Sequence, residues 1–146
     1  MDATRWKIGG NIIDLTNRAL IMGVLNVTPD SFSDGGEFLA TEAAVKHGIA
    51  MAQNGADIID IGGESTRPGA RPVPPEEEME RVLPVIEQLA QTISPPLSID
   101  TSKAVVARAA IERGAAIIND ITGGSDAELF ALAAEKQAAL IIMHMQ

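Results

Sequence analysis

Three short polar clusters, each placed after an apolar run, hold most of the side chains that could do chemistry. The first follows Ile21-Met22-Gly23-Val24-Leu25 and reads Asn26-Val27-Thr28-Pro29-Asp30-Ser31-Phe32-Ser33-Asp34-Gly35-Gly36. Asn26 falls at its head, where an amide oxygen can face a ligand or a hard metal ion. Asp34 sits next to two glycines that could hinge it over a bound molecule. The second cluster, Glu64-Ser65-Thr66-Arg67-Pro68-Gly69-Ala70-Arg71-Pro72, combines a carboxylate, a hydroxyl and two guanidinium groups in a loop stiffened by prolines. The third ends Leu97-Ser98-Ile99 in Asp100 and Thr101, with Lys103 close behind. Arg67, Arg71 and Lys103 are local cations that suit a small anionic substrate.

Taken alone, the first cluster is a strand followed by a solvated turn, since loops are polar by default. Asp100 alone could cap the next helix, and Arg67 alone could pair with Glu64. Three clusters at the ends of three successive strands favour one shared site. A strand whose carboxyl end opens into a polar loop is the usual way an α/β protein builds one.

The elements that must position these clusters follow a regular order. Trp6-Lys7-Ile8 and Asn11-Ile12-Ile13-Asp14-Leu15 flank Gly9-Gly10, which predicts a small hairpin outside the main sheet. A first main strand is expected over 19–26. Thr41 is the expected cap of a helix through Gln53, stopped by Asn54-Gly55. The run 56–63 reads as a second buried strand. A helix is expected over 75–92, with Pro75 in its first turn and Glu76, Glu77 and Glu78 favouring its positive end. Its apolar stripe is Met79, Val82, Leu83, Ile86, Leu89 and Ala90, and Pro84 should interrupt and kink it. The acidic run has a sufficient structural explanation in the helix dipole. Strands over 97–102, 115–121 and 138–145 alternate with a helix over 103–113, capped by Ser102, and one opened by the capping box Ser125-Asp126-Ala127-Glu128.

Apolar runs with polar tips recur at Ile58-Ile59-Asp60, Ile117-Ile118-Asn119 and Ile141-Ile142-Met143-His144. Alternating strands and helices with short links predict parallel strands joined by right-handed crossovers. A (β/α) barrel and an open doubly wound sheet both satisfy that order. Polar residues at several strand ends favour the barrel, and no Gly-x-Gly-x-x-Gly follows the first strand.

Composition narrows the function. The 146 residues carry a net charge of −9, from 20 acidic and 11 basic side chains. That disfavours nucleic acid and anionic membrane as partners. Only 3% of residues are aromatic and there is no Tyr, which leaves no platform for stacking bases. With no Cys, thiol chemistry and thiolate metal sites are excluded. The N-terminus lacks a signal-peptide pattern and no apolar run is long enough to span a bilayer, so a cytoplasmic protein is expected. His47 reads as a surface or packed histidine, and His144 as structural.

Five motifs together closely resemble dihydropteroate synthase: Asn26 to Gly36, Gly63-Glu64-Ser65-Thr66-Arg67-Pro68-Gly69, Ser98-Ile99-Asp100-Thr101, Ile118-Asn119-Asp120 and Met143-His144-Met145-Gln146. The resemblance implies an α/β fold of the parallel TIM-barrel type, with about five of eight strands present and a hairpin in front. Residues 1–18 would form the hairpin and 19–146 the first part of a pterin-binding barrel. The implied reaction joins 6-hydroxymethyl-7,8-dihydropterin pyrophosphate to p-aminobenzoate, giving 7,8-dihydropteroate and pyrophosphate with Mg2+. Sulfonamides would compete for the p-aminobenzoate site.

By position, the resemblance implies that Asp100 and Asn119 hydrogen-bond the pterin edge and that Met143 packs on its ring. Asn26 would contact magnesium, and Thr66 and Arg67 the phosphates. Asp34 would stabilise positive charge on the pterin, while Phe32 and Pro68 would wall the p-aminobenzoate pocket. A homodimer is implied for the full-length protein. The family's later strands bring another pterin-binding Asp, a Lys and an Arg/His pair; these are expected to be missing from this chain, leaving it inactive alone. Two alternatives stand beside this reading. One is a pterin-dependent methyltransferase; the other is a non-catalytic half-barrel that binds a partner through its sheet edges.

Overall fold

A computed structural model of the chain describes residues 4–28, 36–64, 71–124 and 126–143. Two strands, β1 (Arg5–Ile8) and β2 (Asn11–Asp14), pair antiparallel with Ile8 opposite Asn11. Gly9 turns the chain between them at φ 60°, a conformation that favours glycine. This is the expected hairpin.

The remaining strands are β3 (Met22–Asn26), β4 (Ile58–Gly62), β5 (Leu97–Asp100), β6 (Ile117–Asp120) and β7 (Ala139–Ile142). They form one parallel sheet in sequence order, each hydrogen-bonded to the next. Helices α1 (Gly36–Gln53), α2 (Pro75–Thr92), α3 (Ala104–Arg113) and α4 (Ala127–Lys136) fill the crossovers, and each packs beside the next. A doubly wound sheet reverses its strand order and splits its helices between two faces. Unbroken order with the helices side by side is instead a sector of a (β/α) barrel.

Alternation along the strands explains how the sheet has two such different faces. Leu25, Ile59, Ile61, Ile99 and Ile118 point outward into a core with Val82, Val85, Ile86 and Leu89 of α2. Burying each such side chain contributes roughly 1.5–3 kcal/mol. Helix α1 can lie close to α2 because Gly48 has no side chain; a Cβ there would come within 2.8 Å of Leu89 Cδ1. The opposite, concave parity begins with Met22, Ile58, Ile117 and Ala139 at the amino ends of their strands. There the hairpin closes over them, with Ile8, Trp6 and Ile13 packed against Ile58, Ile117 and Ala139.

Several local expectations are corrected. Helix α1 begins at Gly36, so Thr41 is inside it and is not its cap. Pro84 does not interrupt α2, which spans Pro75–Thr92 as expected; Val82, Val85, Ile86 and Leu89 are all buried around it, and this packing outweighs one missing N–H. The cap of α3 is Lys103, not Ser102, and it has no side-chain cap bond. Thr101 Oγ1 instead accepts from the Lys103 N–H at 3.2 Å. Helix α4 is capped by Asp126, whose carboxylate accepts from the Glu128 N–H at 2.9 Å. Among the described residues, no helix is long and apolar enough to cross a membrane.

Candidate functional site

The strand register sets the inward-facing residues in layers. Near the carboxyl ends, Asn26 stands opposite Gly62, Gly62 opposite Asp100, Asp100 opposite Asn119, and Asn119 opposite Ile141. One level therefore joins four side chains from β3, β5, β6 and β7 across a glycine of β4. The layer below contains Val24, Asp60, Ser98, Ile117 and Ala139. Polar groups crowd the upper half of this face, while its lower half is apolar. Gly62 keeps the space between Asn26 and Asp100 open, since a Cβ there would lie 3.4 Å from Asp100 Oδ2.

Asn26, Asp100 and Asn119 are thus brought together. Asn26 is exposed at the sheet edge, Asp100 is half-buried and Asn119 is buried. Met143 lies just past β7 with 45% of its surface exposed, on the parity that Ile141 shares. Phe32, Asp34, Thr66, Arg67, Pro68 and His144 lie outside the described residues.

The electrostatics of the layer are acidic. Asp100 is pushed up to about 7, first by burial and then by the neighbouring carboxylates Asp60, Glu78, Asp120 and Glu64. Burial also raises Asp60, offset in part by the Ser98 hydroxyl and the Asn119 amide. Asn119 Nδ2 donates to Asp60 Oδ2 at 3.1 Å, while Asp60 Oδ1 and Asn119 Oδ1 have no protein hydrogen-bond partner. Buried polar atoms without partners are uncommon and mark a place where a ligand or water belongs.

Beside this layer, a charged network ties three elements together. Lys103 Nζ donates to Glu64 Oε2 at 2.9 Å and to Glu78 Oε1 at 2.6 Å, and Thr101 Oγ1 donates to Glu78 Oε2 at 2.7 Å. Glu64 Oε2 also accepts from the Val73 N–H at 3.1 Å. Burial disfavours the Lys103 ammonium, but its bonds to Glu78 and Glu64 outweigh this and raise its pKa. Glu64 responds in kind: burial works against its carboxylate, yet the Lys103 and Val73 donors hold it below the usual range. Lys103 is therefore committed to two carboxylates and is not a free cation for an anionic substrate. Arg71 pairs with Glu77 at 3.3 Å. A cleft of about 110 Å3 opens among Glu64, Asp100, Lys103 and Thr122.

Two contributors escaped the sequence reading. The helix dipole accounts for Glu76 and Glu77, but Glu78 is 1% exposed and holds Lys103. Its spacing was the signal: Glu78, Val82, Val85 and Leu89 follow one helical stripe, which Glu76 and Glu77 do not join. Asp60 is more than a strand tip, since its parity with Gly62 places it inward. Asp120, 1% exposed, accepts from the N–H groups of Thr122 and Gly124 and shapes the turn after β6.

Among the described residues, no three His, Asp or Glu side chains converge as a metal cage. The donor set does fit an ion of magnesium's habits, which takes one or two protein oxygens and completes its shell with water and substrate phosphate. Asn26 offers one such oxygen at the open edge of the layer.

A family model described as pterin binding enzyme matches residues 22–146. Over 140 residues the chain is 49% identical to a dihydropteroate synthase of Synechocystis, covering 95% of this chain and 48% of that protein. Its fold matches a Xanthomonas albilineans dihydropteroate synthase solved with 4-aminobenzoic acid, at TM-score 0.88 and 49% identity over 99% of this chain and 52% of that one. A structure of the Xanthomonas albilineans enzyme in complex with 7,8-dihydropteroate matches at TM-score 0.82 and 45% identity, over 97% of this chain and 51% of that one. The chain spans about half the length of the relatives it matches.

Proposed function

The chain belongs to the pterin binding enzyme family, and from that membership we propose that the whole protein is a dihydropteroate synthase. It would join 6-hydroxymethyl-7,8-dihydropterin pyrophosphate to p-aminobenzoate and release pyrophosphate. The observation that carries this reading is the layer Asn26, Gly62, Asp100, Asn119, with acceptor atoms that no protein group satisfies. A pterin edge, with an amino group and ring N–H groups, supplies donors for such atoms. Relatives of this identity carry the synthase name, which favours it over a pterin-dependent methyltransferase.

In the reaction, the bond between the pterin methylene carbon and the pyrophosphate oxygen breaks, and its electron pair leaves with pyrophosphate. The amine of p-aminobenzoate forms the new C–N bond and then loses a proton. The amine is already a neutral nucleophile, so no strong base is required. Asp100 and Asn119 hold the pterin in register, with Met143 against its ring. Asp34 stabilises positive charge growing on the pterin, an effect that is large in a site closed to water. Thr66 and Arg67 hold the phosphates, while Phe32 and Pro68 wall the p-aminobenzoate pocket. Magnesium bound at Asn26 would supply charge neutralisation for the departing pyrophosphate.

The reading extends to a cytoplasmic homodimer for the full-length protein, which its solution mass checks. The reaction itself is tested by pyrophosphate release from the dihydropterin substrate, with and without p-aminobenzoate. Release that needs p-aminobenzoate and disappears in Asp100→Ala supports the proposal. Release that ignores both would sink it.

A further inference from the structure

We propose that Asp60 is a positioning residue that locks the Asn119 amide in one orientation, so that its carbonyl oxygen is the end turned away from Asp60 and offered to the ligand. Resting on the pterin reading only for the ligand's identity, the geometry itself stands on the two side chains. Both are more than nine-tenths buried, at 3% and 7% exposure. The Asn119 Nδ2 group donates to Asp60 Oδ2 at 3.1 Å, and Asn119 Oδ1 has no protein partner.

An amide can present either end, because its oxygen accepts and its nitrogen donates. A carboxylate only accepts, so Asp60 selects the rotamer that turns the NH2 group toward itself. The carbonyl oxygen is then left facing away from Asp60, in the layer where Asp100 stands opposite in register. Two acceptors from neighbouring strands select a ligand edge with two donors. A ligand presenting an acceptor there would leave buried groups unpaired, at a cost of about 1–3 kcal/mol each. Asp60 thus sets specificity from the layer beneath without touching the ligand through its bonded oxygen.

Asp60→Asn places two amides face to face, and the new NH2 group can draw the Asn119 oxygen toward itself. In the intact protein, 6-hydroxymethylpterin should bind at least about tenfold more weakly to Asp60→Asn. The side-chain amide resonances of Asn119, read by 1H–15N NMR without ligand, should move in Asp60→Asn.

Unchanged affinity in Asp60→Asn overturns the proposal. Unmoved Asn119 amide resonances overturn it as well. Should wild type bind no pterin, the pterin reading fails, and the NMR result still decides whether Asp60 orients Asn119.

Discussion

Lys103 Nζ stands 2.6 Å from Glu78 Oε1, joining the head of α3 to the first turn of α2 beside the end of β5. Glu78 is 1% exposed and Lys103 26%, so the pair is shielded from screening on one side only. Its second bond, to Glu64, reaches the point where the chain leaves β4. The network therefore anchors the root of the second polar loop to two helices.

Breaking this pair should be costly. Lys103→Met leaves Glu78 buried with only Thr101 to satisfy it, and should destabilise the chain by about 3 kcal/mol, the low end for a buried pair because Lys103 is partly exposed. Combining Lys103→Met with Glu78→Leu should recover much of that loss. Equilibrium urea unfolding measures both; a loss below about 1 kcal/mol for the single change would match a surface pair instead.

Asp100 should titrate near neutrality, since its pKa is raised to about 7. For an acid whose folded-state pKa lies above its unfolded value of 3.8, stability is fully present below the unfolded value and lost as pH rises toward 7. Asp100→Asn removes a charge held among carboxylates. It should raise the thermal midpoint at pH 8, change it little at pH 4, and weaken pterin binding. The carboxyl 13C shift of Asp100 followed by NMR checks the midpoint, and a value near 4 would refute it.

Gly62 should matter for the ligand more than for the fold. An added Cβ would meet Asp100 Cβ and Oδ2 at 3.4 Å, an ordinary contact distance, but it would occupy the floor between Asn26 and Asp100. Gly62→Ala should weaken 6-hydroxymethylpterin about tenfold, which is about 1.4 kcal/mol. The thermal midpoint should stay within a few degrees. Calorimetric titration beside a melting curve separates the two effects.

The hairpin should behave in the opposite way. Ile8 is 3% exposed and packs on the amino-end residues Ile58, Ile117 and Ala139, far along the strands from Asp100. Ile8→Ala should cost roughly 2–4 kcal/mol and leave pterin affinity unchanged. Barrel proteins divide their labour in this way, with stability at the amino face and chemistry at the carboxyl face. Lost affinity in a variant that remains folded would contradict that division.

Much of this architecture was legible in the sequence, for physical reasons. The paired isoleucines of β4, β6 and β7 mark strands covered by helices, and Asn26, Asp100 and Asn119 mark where β3, β5 and β6 meet a polar site. The choice between barrel and open sheet was not fixed by pattern, because both need the same alternation; only the strand order separates them. Helix starts were misplaced where polar residues looked like caps. Thr41 and Ser102 have the right chemistry, but Gly36 and Lys103 head those helices. Glu78 and Asp60 were missed because burying a carboxylate is costly unless it is paired. Their partners, Lys103 and Asn119, lie 25 and 59 residues away in the chain.

On the proposed function, the layer of Asn26, Gly62, Asp100 and Asn119 holds a pterin by its donor edge. Soaking 6-hydroxymethylpterin into crystals of the intact protein tests it most directly. The expected result is a ring whose N–H and amino groups lie within hydrogen-bond distance of the Asp100 carboxylate and Asn119 Oδ1. A pterin seated elsewhere, or one that touches neither group, would contradict it.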